Sequence, residues 1–326
     1  MELTTRIEIQ PSADKIRHED TVMTLGSCFA DEIAGEMLRD KFNVHSNPFG
    51  TLYNPASICA HLLRCLSERP YQAGDPEIFE ADGLWHSWMH HTSFSSPDRD
   101  ALLDRLNTTL RLTASHLRTT RWLIVTFGTA YVYRLRHSGM LVANCHKQPD
   151  SLFVRERMSA YDIADMWRQA LQLLYAVNPG LHVVCTVSPI RHQRDGLHPN
   201  NLSKAELLLA TDALRDATYF PSYEIMLDEL RDYRFYNDDM LHPSHRAVEY
   251  IYERFGQTFM TPETLALAAQ CRDVVRAAGH RPFRPESEQY RQFQRNTLAK
   301  IQKLKQQYPF LDFTEETKQC STEFQK

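Results

Sequence analysis

The chain has 326 residues, enough for one large α/β domain or for a domain with an accessory segment. Hydrophobic residues make up 42% and charged residues 24%, which excludes a disordered or collagen-like chain. Lys plus Arg number 37 against 41 Asp plus Glu, a net charge of -4, so neither nucleic acid nor a membrane surface is expected as partner. No stretch approaches the ~18 uncharged apolar residues that span a bilayer. Residues 1–8 show no basic segment followed by an apolar run, so no secretory signal is expected. Seven cysteines, an odd number without CxxC spacing, predict reduced thiols in a cytoplasmic protein. Cys59, Cys65, Cys185 and Cys271 lie among apolar neighbours and are expected to be buried.

In chain order, residues 22–25 form a β-rich run that ends at Gly26-Ser27-Cys28. Apolar residues at 29, 33, 34, 37 and 38 then repeat at helical spacing. The first unit is therefore strand, tight glycine turn, helix. Residues 47–55 are loop chemistry, with two Asn-Pro steps around Gly50. Helices are predicted at 56–66 and 100–116. Residues 122–127 are a continuous apolar run, the mark of a strand buried on both faces. A hairpin follows at 131–143, a helix at 161–175 and a second buried strand at 181–187. Helices are predicted at about 202–217 and 245–259. This alternation defines an α/β sandwich with a mainly parallel sheet. Residues 1–262 are read as that domain. Residues 263–326 are read as a helical extension packing on it, with one long helix over 286–307 and a frayed tail after about 313.

Sites in such folds lie at the C-terminal ends of the strands. Gly26 permits a sharp turn that exposes the next residues at a helix N-terminus. A thiol at Cys28 is expected to be acidified there. Further along, Asp239 and His242 have the spacing that lets a carboxylate fix an imidazole through Nδ1, leaving Nε2 as base. Asp238 and His245 are weaker candidates for the same roles. His146-Lys147 and Arg191-His192 follow predicted strand ends, where anionic or hydroxyl-rich groups are the plausible targets. His86 and His90, four apart, suit a metal only on a helix, and no convincing further ligands accompany them, so no metal and no cofactor are expected.

Gly26-Ser27-Cys28-Phe29-Ala30 is the signature after which the GSCFA family is named. Matching segments follow in order at 47–50, 127–130, 144–147, 187–192 and 236–244. Over roughly 20–312 the chain resembles that family, which itself looks like a branch of the SGNH hydrolases. The resemblance implies a flavodoxin-like three-layer sandwich and an acyl-ester chemistry, by hydrolysis or transfer. The expected substrate is a small-molecule or saccharide ester. A non-catalytic carbohydrate- or acyl-binding protein on the same fold is the alternative. Laid on the usual Gly-Asp-Ser turn, the chain places Cys28 at the nucleophile, with Ser27 as the alternative nucleophile. The usual oxyanion asparagine is missing, because Gly128-Thr129 continues into Ala130-Tyr131. Asn47, Asn54 or Asn144 is then the replacement, with the N–H of Gly50 as a backbone donor and Gly128 and Thr129 as further oxyanion or substrate-binding positions.

Overall fold

The structure is a computed structural model that describes residues 5–322. It begins with β1 (Thr21–Gly26), α1 (Cys28–Arg39), β2 (Asn43–Ser46) and α2 (Pro55–Ser67). A small hairpin, β3 (Ile78–Ala81) and β4 (Leu84–Ser87), precedes α3 (Arg99–Thr119) and β5 (Trp122–Phe127). Next come β6 (Tyr131–Leu135), β7 (Leu141–Val142), β8 (Phe153–Arg157) and α4 (Ala160–Val177). β9 (His182–Val187), α5 (Leu197–Asp212), β10 (Thr218–Phe220) and the single turn α6 (Ser222–Glu224) complete the central layer. The chain ends in α7 (His245–Phe259), α8 (Pro262–Ala278), α9 (Glu288–Gln307) and α10 (Thr314–Thr322).

The main sheet has the order β10-β9-β5-β1-β2, with every pairing parallel. β5 stands in its middle, registered on Val22 of β1 and His182 of β9 through Trp122. Alternation along the strands explains the continuous apolar runs. Met23, Leu25, Leu123, Val125, Val183 and Cys185 face one way, into a core shared with α2, α3, α4 and α5. Val22, Trp122, Ile124 and Val184 face the other way, against α1 and α7. Each face needs an apolar partner, and helices supply one on both sides. The expected three-layer α/β/α sandwich is therefore found. Trp167 of α4 is fully buried, and its indole N–H donates to Pro55 O at 3.2 Å. Burying a side chain of this size contributes about 1.5–3 kcal/mol.

Two accessory strand pairs stand outside the main sheet. β6 pairs antiparallel with β7, as expected of the 131–143 hairpin, and β8 adds to its other edge. β3 and β4 pair with each other. This corrects the helical reading of His86 and His90: His86 lies on β4, and His90 lies in the turn after it. Among the described residues no group of three or more histidine, cysteine or acidic side chains gathers as metal ligands do.

α8, α9 and α10 share a cluster of Leu267, Cys271, Val274, Ile301, Leu304, Leu311 and Phe313. Arg272 of α8 ties them to α1 through Asp40, at 2.7 and 2.8 Å. The frayed tail expected after 313 is corrected up to residue 322. Residues 314–322 are helical, Cys320 is buried, and Glu316 pairs with Lys41 at 2.7 Å. The reason is tertiary: Phe313 is fully buried and fixes the start of the segment. All seven cysteines are free, and Cys59, Cys65, Cys185 and Cys271 are buried as expected. Among the described residues no helix is long and apolar enough to cross a membrane.

Candidate functional site

The first turn is built around Gly26. Its φ is +142°, and a Cβ there would lie 2.2 Å from Thr126 O on β5. Only glycine lets β1 leave the sheet this tightly beside its neighbour. Asn47, after β2, buttresses the turn from the other side. Its Oδ1 accepts Gly26 N–H at 2.8 Å, and its own N–H reaches Thr24 O at 2.9 Å. Asn47 holds φ +37°, a conformation that asparagine tolerates.

Ser27 is the N-cap of α1, yet its side chain makes no capping bond. It is 1% exposed, and its Oγ is buried without a hydrogen-bond partner. Cys28 is half-buried and is the more reachable of the two. The backbone N–H groups of Cys28 and Phe29 favour the thiolate. Burial outweighs them, and Asp31 and Glu32 add to it, so the thiol is pushed above its ordinary value. The expected acidification of Cys28 is thus corrected: desolvation exceeds the helix dipole at this position.

Asp239 and His242 form a pair. His242 Nδ1 lies 2.5 Å from Asp239 Oδ2, while Asp239 Oδ1 accepts the backbone N–H groups of Leu241 and His242. Those N–H bonds, then the imidazole, hold the Asp239 carboxyl down at about 2. The carboxylate is ionised at any working pH and fixes the ring by Nδ1, leaving Nε2 for chemistry. Both side chains are about half exposed. Asp238 is exposed, and His245 is turned towards Glu249 and Glu36.

α7 runs beside α1 in the same direction. His245 lies 3.9 Å from Glu36, and a full two turns on Tyr252 donates to Asp40 at 3.0 Å. The Asp239–His242 loop leads into the N-terminal end of α7. Arg191, after β9, anchors that loop. Its N–H bonds to Leu241 O at 3.2 Å, its Nη2 to Met240 O at 2.7 Å, and its guanidinium lies 4.7 Å from the Tyr236 ring. Arg191 was expected to meet substrate; here its donors hold the loop. His192 turns to the other side. A Cβ on Gly128 would sit 3.5 Å from His192 Nε2 and 3.3 Å from Ser27 Cβ, so the three residues surround one point. The His192 ring lies edge-on to Tyr53, 6.0 Å away.

Several expected oxyanion donors prove to be occupied. The N–H groups of Gly128 and Thr129 both bond to Tyr53 O, at 2.8 and 2.9 Å. Thr129 Oγ1 lies 3.1 Å from Ser203 Oγ and accepts from Tyr131 N–H. Gly50 N–H closes a turn on Asn47 O at 2.7 Å, and His91 packs where a Gly50 Cβ would stand. Asn54 caps α2, its Oδ1 accepting Ser57 N–H. Asn144 accepts His146 N–H in a local turn. Asn47 likewise accepts through Oδ1, from Gly26 N–H, and its Nδ2 is buried without a partner. His146 is corrected as a ligand-facing residue. It is buried against His86 and Trp88, its Nε2 lies 2.8 Å from Ser87 O, and burial pushes it down to about 4. Lys147 is exposed beside it.

The sequence reading placed a helix at about 202–217 but gave α5 no part in the site. Asn200 Oδ1 accepts His192 N–H at 2.9 Å, and Ser203 Oγ accepts Ala130 N–H at 2.8 Å. Lys204 Nζ donates to Gly128 O and Ser188 O, at 2.7 Å each. One helical face thus clamps the ends of β5 and β9. Its signal was a lysine on the stripe of buried positions 200, 203, 204, 207, 210 and 211.

An open parallel sheet that carries a thiol at its first turn and a carboxylate-held imidazole on a later loop defines an α/β-sandwich protein with a candidate acid–base site. The GSCFA family model matches residues 21–255, and the model of the GSCFA domain protein C-terminal domain matches residues 271–326. The chain belongs to the GSCFA family. A search of curated proteins finds no match.

Proposed function

We propose that the chain is an acyl esterase or acyltransferase of SGNH-like mechanism, with Cys28 as nucleophile, His242 as base and Asp239 as its orienter. The observation that carries this reading is the Asp239–His242 pair, in which one carboxylate accepts from the imidazole and from two backbone N–H groups. A thiol raised by burial does not stand as thiolate near neutral pH, so it needs a base in the attacking step. The thiol proton passes to His242 Nε2 as sulfur bonds to the ester carbonyl carbon. The proton then goes to the departing alkoxide, and a thioester remains. Water or a second hydroxyl releases the acyl group and restores the thiol. The buried Nδ2 of Asn47 and the Cys28 N–H are the oxyanion donors.

The substrate class is a small hydroxylated or saccharide ester, with acetyl the acyl group. Tyr53, 40% exposed and next to Leu52, whose N–H bonds to Gly26 O at the first turn, offers a ring on which a sugar face stacks. Seven free thiols fit a reducing, cytoplasmic setting. A second reading, a carbohydrate- or acyl-binding protein, is favoured by the occupied N–H groups of Gly50, Gly128 and Thr129.

A panel of short-chain acyl esters and O-acetylated saccharides tests both. Wild type should turn over an acetyl ester, and Cys28→Ala and His242→Ala should each abolish turnover with the fold intact. Ser27→Ala should have the smaller effect. Undiminished turnover in Cys28→Ala refutes the nucleophile, and saccharide binding without turnover in wild type leaves the binding reading.

A further inference from the structure

Lys204 is 1% exposed, and two backbone carbonyls are its hydrogen-bond acceptors. Among the described residues no carboxylate pairs with it. An amine in this position is costly when charged, because neither carbonyl carries a full countercharge. The nearer of the two acids on its own helix, Glu206, is turned to Ala160 N–H and Arg157. From α6 the Tyr223 ring faces it at 5.8 Å. Beyond Gly128 stand His192 and the Ser27–Cys28 turn. Burial pushes Lys204 down to about 7, and the ionisable group whose charge acts against that is Cys28.

We propose that Lys204 is the buried counter-charge of the Cys28 site, holding its proton when negative charge stands on the sulfur or on the oxyanion beside it. It touches the Gly128 and Ser188 carbonyls rather than substrate, so it is a positioning residue. Coupling of this kind is reciprocal: a thiolate favours the ammonium as much as the ammonium favours the thiolate. Below neutral pH the charged lysine helps Cys28 ionise. Well above it the lysine is neutral and the help is lost. The inference rests on Cys28 being the reactive group of the proposed site.

The test reads the thiol directly. Cys28 alkylation by iodoacetamide is followed by peptide mapping from about pH 6 to 10 in wild type and Lys204→Met. Wild type should react about threefold faster or more near pH 6.5, a factor that corresponds to half a pH unit of coupling. The ratio should fall to one by about pH 10. A ratio independent of pH would mark a merely structural lysine and overturn the proposal, as would a Cys28 that never reacts in the folded protein. A second measurement serves if Lys204→Met does not fold. The Lys204 methylene carbon is titrated by NMR in Cys28→Asp and Cys28→Asn. A midpoint higher in Cys28→Asp by about half a pH unit or more supports the coupling, and equal midpoints overturn it. Neither readout uses ester turnover. Coupling without turnover removes the acyl reading alone, and turnover without coupling removes this inference alone.

Discussion

The histidines packed beneath Phe49 should make the protein acid-labile, and His61→Gln should measure how much. His61 is 2% exposed, lies with Nε2 2.7 Å from Met89 O, and stacks on Phe49 with ring centroids 4.2 Å apart. The His90 ring is 4.8 Å from it and fully buried, so two charges there would repel at close range. Burial holds His61 down at about 4. The unfolded chain takes up a proton near the ordinary value of about 6.5. A histidine held neutral in this way contributes its stability fully above about pH 6.5 and loses it as pH falls through that value towards 4. The difference is about 3 kcal/mol for His61, a sizeable part of the 5–15 kcal/mol usual for a domain. His146 is held at about 4, and His90 well below its ordinary value, so both act in the same direction. Glutamine keeps a donor for Met89 O but does not titrate. Urea unfolding at a series of pH values from about 7.5 to 4 should show wild type losing about 3 kcal/mol more than His61→Gln. The comparison uses the slopes, since the substitution also alters packing at neutral pH. Parallel stability curves for the two proteins would refute the reasoning.

Gly26→Ala should destabilise by roughly 3 kcal/mol or more, since its Cβ meets backbone rather than a movable side chain; thermal unfolding checks this, and an unchanged midpoint contradicts it. Arg191→Ala should raise amide exchange at 237–242 with little change in global stability, because its bonds to Met240 and Leu241 hold that loop; equal protection in both proteins would show that the loop stands without it. Removal of residues 314–326 should lower the unfolding midpoint and weaken the α8–α9 cluster, as Glu316 no longer pairs with Lys41 and Cys320 no longer packs. Native thiol titration should find Cys28 and Cys145 ahead of the five buried cysteines; seven equally fast thiols would be incompatible with the core described.

The layered fold was legible because its signals are local. Runs such as 122–127 lack alternation since both faces of the strand meet helices, and Gly26 marks a turn no other residue can make. The spacing of Asp239 and His242 was likewise sufficient for their pairing, because one turn of backbone brings them together. Other features depend on neighbours distant in sequence. The pull of the helix terminus on Cys28 is a local property, but its burial is not, and burial decides the sign of the shift. The N–H groups of Gly50, Gly128 and Thr129 looked available until Asn47 and Tyr53 supplied their acceptors, whereas Asn47 Nδ2 is buried without one. His146 reads as a strand-end ligand, yet the packing of β4 against its loop makes it a core residue. Lys204 reads as a surface lysine on α5 because helical spacing says which residues share a face, not what that face will meet. Only the meeting of β5 and β9 above it turns that lysine inward, onto two carbonyls far apart in the chain.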